Sequence, residues 1–276
     1  MKFSFSTLGC PSWSWGEVLA AAHDLGYDGV EVRGLGRELY APHISHFQDV
    51  NLPATKERLA KLGLNICCLT SACYLFDESN TEMMMQMGRE YVDLADKLSV
   101  PCIRVLGVLE GRPSSSIDID FVTRRLQELA QYASGKNVKV LLESNGVFGD
   151  TKLLASILNK IDEPQAGALW DVNHPYHFFH EDVETSYNNL KPYLYHIHMK
   201  DSSIADGQVH YQMMGYGSIP NDKILTALQR DDYQGYVSLE WLKRWNKNLT
   251  EPGIVFPQFA DYMNEYRKKH KHQLQD

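Results

Sequence analysis

The sequence lacks any apolar run that approaches the roughly 18 residues a helix needs to cross a membrane. Its first residues, MKFSFSTLGCPSW, contain one lysine and no apolar stretch of signal-peptide length. These two absences predict a cytoplasmic protein that neither spans nor binds a membrane.

Positive charge and cysteine are both scarce. The 276 residues include 27 lysines and arginines against 35 aspartates and glutamates, which gives a formal net charge of −8. Such a balance argues against a nucleic-acid partner, because proteins that bind the phosphate backbone usually carry a basic face. The five cysteines are odd in number and lack CxxC spacing, so we expect reduced thiols rather than disulfides or a thiolate metal site.

The sequence does contain a repeated alternation of short β-rich runs with longer helical patterns. The predicted strands cover residues 3–8, 29–33, 64–70, 101–106, 138–142, 166–170, 193–197 and 236–239. Ser14 with Glu17 forms a predicted capping box, and Asp150 is a predicted helix N-cap. Eight such repeats without a linker predict one domain, residues 1–276, folded as a single (β/α)8 TIM barrel.

The two longest irregular stretches follow the last two predicted strands, at residues 201–219 and 241–255. They are expected at the C-terminal face of the strands, where barrel enzymes have their active sites. The first contains the glycine-rich turn GYGSIP, residues 215–220, which lacks a Walker lysine. We interpret this turn first as an element that shapes the loop and second as an oxyanion contact.

Each of the last four predicted strands runs into a side chain that can bind a metal: Glu143, Asp171, His198 and Glu240. Equivalent positions of parallel barrel strands form one ring, so we expect these side chains to converge. Three adjacent carboxylates repel one another and lose hydration, and a divalent cation removes that cost. Three oxygen donors and one imidazole suit Mn²⁺, Mg²⁺ or Co²⁺, while Zn²⁺ also fits; we favour a single manganese ion.

Several histidines near these strand ends have more than one interpretation. His196 lies on the same face of its strand as His198, and we predict His198 as the ligand because it is nearer the strand end. His174 could bind a second metal, contact substrate or hydrogen-bond to a ligand, and we favour substrate contact. His177 and His180 are expected at the surface or rim.

Other side chains are predicted to reach the substrate. Lys200 is expected either to bind a substrate oxygen or phosphate or to pair with Asp201. Arg33 and Arg104 occupy or end early strands and could reach the site, although an ion pair inside the barrel is the slightly preferred alternative for Arg104. Trp13 is expected at the mouth, as a wall beside a sugar or as a rim that excludes water.

In order and spacing, several motifs resemble the xylose-isomerase-like TIM barrel superfamily, and more narrowly its sugar phosphate isomerase/epimerase branch. They are TLGCPSWSW, GYDGVEVRG, LLESN, WDVNHP, HIHMKDS, GYGSIP and SLEW, spread over nearly the whole chain. The resemblance implies that Glu143, Asp171, His198 and Glu240 hold one divalent metal ion. It also implies that the two glutamates move a proton, one on each face of the substrate, and that His174 contacts substrate oxygens.

The resemblance therefore implies a metal-dependent isomerase or epimerase of a small ketose or related sugar, free or phosphorylated, acting through a metal-stabilised enediolate. The alternative is a metal-dependent dehydratase or lyase on an inosose, keto-acid or oxidised glycoside, since the first step is the same. A catalytically silent, ligand-binding barrel is a third interpretation, against which the intact ligand set argues. DNA-repair endonucleases of the superfamily need further histidines after strands three and four, which this sequence lacks. The resemblance also suggests a homo-oligomer.

Overall fold

A computed structural model describes residues 1–113 and 116–271 of the chain. Its strands are β1 (Lys2–Ser6), β2 (Gly29–Val32), β3 (Asn65–Tyr74), β4 (Cys102–Leu106), β5 (Lys139–Glu143), β6 (Ala166–Asp171), β7 (Leu194–Met199), β8 (Asp201–Ala205), β9 (Gln208–Gln212) and β10 (Tyr236–Leu239). All except β8 and β9 pair in parallel into a closed barrel, in the order β1-β10-β7-β6-β5-β4-β3-β2. The predicted (β/α)8 TIM barrel is thus confirmed. Residues 114–115 and 272–276 of the predicted single domain lie outside the described residues, and the domain boundary stays a prediction.

Helices separate the barrel strands and cover the outside of the barrel. They are α1 (Trp15–Asp24), α2 (Leu52–Leu62), α3 (Thr81–Leu98), α4 (Ile119–Tyr132), α5 (Thr151–Lys160), α6 (Asn173–Phe178), α7 (Val183–Leu190), α8 (Asn221–Arg230) and α9 (Pro252–Lys271). The predicted capping box begins α1, where Ser14 and Glu17 each bond the other's backbone N–H. The Asp150 carboxylate caps α5 in the predicted way. Within the described part of the chain, no helix has the length and apolar composition for a membrane crossing.

Two short elements lie where the sequence predicted only loop. The stretch 201–219 contains the antiparallel hairpin of β8 and β9, and α6 follows β6 at once. His177 lies in α6, is buried, and has its Nε2 atom 2.8 Å from Ser202 Oγ of β8. The prediction of a surface position for His177 was therefore wrong, because α6 packs against a hairpin that the sequence pattern did not reveal. His180 is exposed, as expected.

The barrel encloses a small apolar layer directly beneath the ends of its central strands. Side chains alternate along a strand, so residues two apart share a face. On the inward face of β5 and β6, Leu141 and Leu169 therefore precede the last residue of each strand, and they cluster with Cys68 and Cys102. The five cysteines of the chain are free and buried, in agreement with the predicted reduced thiols. Glu31 and His196, the register partners of Cys68 and Leu169, lie at the same level, so the floor beneath the strand-end residues is only partly apolar.

Candidate metal centre

Four neighbouring barrel strands bring the four predicted metal ligands together. Glu143 ends β5, Asp171 ends β6, His198 is the penultimate residue of β7, and Glu240 directly follows β10. Asp171 and His198 are direct partners in the parallel register of β6 and β7. Ligand-type atoms of all four residues lie within 4.8 Å of one another, and all four residues are buried. We call them the strand-end cluster.

A cationic side chain holds one oxygen of each carboxylate in the strand-end cluster. Arg104 Nε lies 3.1 Å from Glu143 Oε2. Lys200 Nζ lies 2.5 Å from Asp171 Oδ2 and also donates to Glu240 Oε2. These two cations offset the repulsion among three buried carboxylates. The remaining oxygen of each glutamate is left facing the centre of the cluster.

His198 supplies the test of whether this cluster fits a divalent cation. Its Nε2 atom lies 3.0 Å from Glu31 Oε2, and its Nδ1 atom lies 3.4 Å from both Glu143 Oε1 and Glu240 Oε1. Among the described residues, Nδ1 is buried without a hydrogen-bond partner. In a metal-binding histidine, one ring nitrogen usually donates its proton to a carboxylate while the other ring nitrogen binds the metal. His198 has this arrangement, with Nδ1 directed at the acidic groups. The donor set therefore fits a divalent ion.

The ionisation of the strand-end cluster also fits a divalent cation. Burial lowers the pKa of His198, but the carboxylates of Glu31, Glu240 and Glu143 outweigh burial and raise that pKa well above 6.5. Burial raises the pKa of Glu143, but Arg104 and His198 outweigh it and lower the pKa. Without a cation the imidazole thus takes up a proton among ionised carboxylates, and metal binding would displace that proton.

A second group of metal-type residues lies one layer deeper in the barrel. It consists of Glu31, His196 and His198, and we call it the inner triad. His196 Nε2 lies 2.8 Å from Glu31 Oε2, the same oxygen that His198 contacts. Burial raises the pKa of Glu31, but His198 and His196 outweigh it and hold the pKa well below 4.5. An ionised Glu31 therefore orients both imidazoles.

The three carboxylates of the strand-end cluster line a cavity of about 280 Å³, and three of the four predicted substrate-binding residues line it as well. They are His174, Lys200 and Arg104. His174 Nδ1 is 3.0 Å from the Gly111 carbonyl oxygen, and its Nε2 is 3.6 Å from Asp171 Oδ2. Arg104 lines the cavity and is also paired with Glu143 inside the barrel. Its position is therefore compatible both with access to the site and with the ion pair that was the preferred alternative.

Trp13, the fourth predicted substrate-binding residue, is half-buried, and its ring packs edge-on against Phe256 at a centroid distance of 5.5 Å. The indole that lines the cavity belongs to Trp245 instead, with Tyr74 and Tyr211 as further aromatic residues. Trp245 and Tyr211 lie in the two long stretches after β7 and β10, so their positions depend on loop conformation. Because of that dependence, no sequence pattern pointed to Trp245 or Tyr211.

Glu31 was also not predicted as a site residue, although the sequence around it contains a signal. It is the single charged residue among the four of β2, GVEV, all of which are buried. A carboxylate in the middle of a buried strand needs a partner, because burial penalises its charged form. The partner could not be identified from the sequence, since the two histidines that contact Glu31 are 165 and 167 residues away along the chain.

Asp201 anchors the loop that follows Lys200. Its Oδ2 atom accepts from the backbone N–H groups of Gly215 and Gly217 at 2.9 Å each, and its Oδ1 atom accepts from Ile219 N at 3.3 Å. Of the two alternatives for Lys200, the pairing with Asp201 is not found, because the Asp201 carboxylate accepts from backbone N–H groups of its own loop. The interpretation of the GYGSIP turn as a loop-shaping element agrees with these bonds.

Comparisons with known proteins match nearly the whole chain. The family model described as xylose isomerase-like TIM barrel matches residues 19–257. Fructoselysine 3-epimerase from Shigella flexneri is 23% identical over 244 residues, which cover 84% of this chain and 86% of that protein. The epimerase activity is that of the Shigella protein.

Two solved structures share the fold at low sequence identity. The probable 3-DHS dehydratase involved in petrobactin synthesis from Bacillus anthracis aligns with a TM-score of 0.76 and 18% identity, covering 96% of this chain and 99% of that one. A xylose isomerase-like TIM barrel protein from Mycobacterium smegmatis, in complex with magnesium, aligns with a TM-score of 0.74 and 16% identity, covering 96% of each chain. At these identities the alignments establish a common fold and nothing finer.

Proposed function

The chain belongs to the xylose isomerase-like TIM barrel family, and from that premise we propose that it is a divalent-metal-dependent epimerase or isomerase of a small ketose or related sugar. The observation that carries the proposal is the buried strand-end cluster, in which His198 Nδ1 has no hydrogen-bond partner among the described residues. The similarity to a fructoselysine 3-epimerase supports this class of reaction.

In this proposal Glu143, Asp171, His198 and Glu240 hold one divalent ion, with manganese favoured. When bound there, the ion would supply Lewis-acid polarisation of a substrate carbonyl. His198 would bind through Nδ1, because Glu31 accepts from its Nε2. Lys200 stays protonated for its task of bridging Asp171 and Glu240: burial lowers its pKa, but these two carboxylates raise the pKa well above 10.5.

Glu143 and Glu240 are the residues proposed to move the proton. The barrel order β10-β7-β6-β5 separates them by two strands, so they stand at opposite ends of the cluster. Arg104 and Lys200 hold their outer oxygens, which leaves one oxygen of each to face a substrate. One glutamate takes a proton from the carbon beside the carbonyl, and the other returns a proton to the opposite face. Return to the same carbon gives epimerisation, and return to the neighbouring carbon gives isomerisation.

The remaining predicted contacts complete the proposed site. His174 is proposed to bind a substrate hydroxyl through Nε2, because its Nδ1 lies beside the Gly111 carbonyl oxygen. Lys200 and Arg104 would contact substrate oxygens only with donors that their carboxylate partners leave free. Trp13 stays a prediction for the outer wall. A homo-oligomer and a cytoplasmic location likewise stay predictions.

The test combines metal analysis with isotope exchange. The purified protein is loaded with Mn²⁺ and incubated in deuterated water with D-fructose, D-tagatose or D-ribulose, and the recovered sugar is analysed for carbon-bound deuterium. Glu143→Gln and Glu240→Gln should each lower the exchange rate by about 10²- to 10⁴-fold, the usual contribution of a general acid or base. Glu78→Gln, at an exposed glutamate, is the control and should keep the wild-type rate.

Each result has a clear interpretation. Full exchange activity in both glutamine variants would refute the assignment of proton transfer. Loss of water with an unsaturated product would place the protein in the alternative class of dehydratases and lyases. Failure to bind any of Mn²⁺, Mg²⁺, Co²⁺ and Zn²⁺ would refute the metal centre itself.

A further inference from the structure

We propose that Arg33 binds an anionic group of the substrate, a carboxylate or a phosphate, at the end remote from the reacting carbons. The proposal rests on the proposed function for the position of the reacting end. It adds to that function a substrate class: a small keto-sugar that carries a terminal negative charge.

The first argument is that Arg33 is a buried cation without an anionic partner. It directly follows β2, is 7% exposed and lines the same cavity as the strand-end cluster. Its Nη1 atom donates to the Leu39 carbonyl oxygen at 3.3 Å. Among the residues that the structure describes, no carboxylate oxygen lies within 4.0 Å of an Arg33 guanidinium nitrogen, the distance limit for an ion pair. A guanidinium has five N–H donors, so most of its hydrogen-bonding capacity is unused.

The other two cations, Arg104 and Lys200, each have a carboxylate partner by comparison. Arg104 is paired with Glu143, and Lys200 contacts both Asp171 and Glu240. A buried charge is stable when it is paired and hydrogen-bonded, and costly otherwise. Arg33 is therefore the cation in this cavity for which a ligand would supply the missing anion.

The charge balance of the whole cavity leads to the same ligand. The three carboxylates of the strand-end cluster and the ionised Glu31 that contacts it give four negative charges, against three positive charges on Arg33, Arg104 and Lys200. A divalent ion in the cluster would leave an excess of positive charge in a buried space. Burial and the nearby charge of Arg104 lower the pKa of Arg33, and a bound oxyanion would relieve both effects.

The walls around Arg33 suit a small ligand held at two ends. The guanidinium carbon lies 5.8 Å from the centre of the Trp245 ring, which lines the same cavity and is 56% exposed. At this distance the indole is within cation–π range of the guanidinium, whose planar fork matches carboxylate and phosphate oxygens in bidentate geometry. The volume of about 280 Å³ lies at the small end of ligand pockets. A single molecule of sugar size would thus reach from the cluster to Arg33.

The test uses three probes that differ only at C6: D-fructose, D-fructuronate and D-fructose 6-phosphate. Their dissociation constants for the Mn²⁺-loaded protein are measured by calorimetry. We expect one or both anionic probes to bind about 10- to 100-fold more tightly than D-fructose, the range for a charge-assisted hydrogen bond. The two anionic arms show whether the carboxylate or the phosphate is preferred.

The variants isolate Arg33 as the cause. Arg33→Met should abolish the preference for anions while it leaves the affinity for Mn²⁺ and for D-fructose within about threefold of wild type. Arg33→Lys should keep a reduced preference, because it retains the charge but loses the fork. Arg37→Met, at an exposed arginine, should keep the full preference. Thermal unfolding of each variant identifies any that fails to fold.

Three outcomes would overturn the proposal: equal binding of neutral and anionic probes, an anion preference that survives in Arg33→Met, or no measurable binding of either anion. The proposed function is judged separately by deuterium exchange. Anion preference without exchange would support Arg33 as the anion site and refute the epimerase, whereas exchange into D-fructose without anion preference would do the reverse.

Discussion

The strand-end cluster and the inner triad share His198, are both buried, and both consist of residues that bind metals. They differ in what their donor atoms already contact. In the inner triad, both imidazoles use Nε2 on one oxygen, Glu31 Oε2. In the strand-end cluster, His198 Nδ1 is left without a hydrogen-bond partner among the described residues.

Residues of ligand type that lie close enough to share one ion do not by themselves make a metal site. The inner triad has two buried atoms that lack a hydrogen-bond partner within the described ranges, Glu31 Oε1 and His198 Nδ1. His198 Nδ1 lies beside Glu143 and Glu240 of the strand-end cluster, and the one remaining oxygen does not form a coordination shell. The strand-end cluster instead has one inward oxygen on each glutamate, beside an unpaired ring nitrogen. We therefore assign the inner triad the orientation of His198 and the strand-end cluster the binding of the cation.

The change with the largest expected effect removes a ligand from the strand-end cluster. Asp171→Asn keeps the shape of the side chain but loses the charge, and Lys200 loses an anionic partner. We expect the dissociation constant for Mn²⁺ to rise by more than about 100-fold, because removal of a ligand exceeds the 10- to 100-fold effect of supporting residues. Calorimetric titration with Mn²⁺ measures the change.

The matched control is Asp206→Asn. Asp206 is exposed and has a φ of 51°, which asparagine also tolerates, so Mn²⁺ affinity should be unchanged. If Asp171→Asn bound Mn²⁺ as tightly as this control, the strand-end cluster would not be the metal site.

A smaller effect is expected from the inner triad. Glu31→Gln should weaken Mn²⁺ binding by about 10- to 100-fold, because the amide no longer fixes the tautomer and basicity of His198. His196→Gln should weaken it by less than about threefold, since His196 contacts Glu31 but is outside the strand-end cluster. An effect of His196→Gln equal to that of Glu31→Gln would mean that the inner triad itself holds the ion.

The last change concerns stability rather than metal binding, in the loop above the strand-end cluster. A Cβ atom at Gly217 would lie 2.0 Å from Asp201 Oδ1 and 2.5 Å from Ser202 N, so Gly217→Ala must displace the loop. We expect a loss of about 1–3 kcal/mol in the free energy of unfolding, typical of overpacking. Urea denaturation measures this loss. The contacts within the inner triad should be unaffected.

Gly253→Ala is the control for that change, because a Cβ atom there meets no described atom within 4 Å. It should be neutral or slightly stabilising. A Gly217→Ala variant as stable as Gly253→Ala would show that the contact between the turn and Asp201 does not constrain the loop.

The local parts of the fold were predictable because short-range chemistry determines them. Capping at Ser14 and Asp150 and the strand at residues 236–239 agree with the structure. Helix α6 and the β8–β9 hairpin were missed, because six- and five-residue elements in a polar segment carry little periodic signal. The burial of His177 was missed for the same reason, since His177 lies in α6 and contacts Ser202 of the hairpin.

The sequence by itself determined that an acid or a histidine stands within one residue of the end of each of the last four barrel strands, because strand length and the alternation of side chains depend on neighbouring residues. Only the tertiary structure decided which nitrogen of His198 faces the cluster, because its Nε2 is held by Glu31 from a strand 167 residues away. It also decided that Arg33 has no carboxylate partner among the described residues, since that depends on how closure of the barrel distributes charges around one cavity.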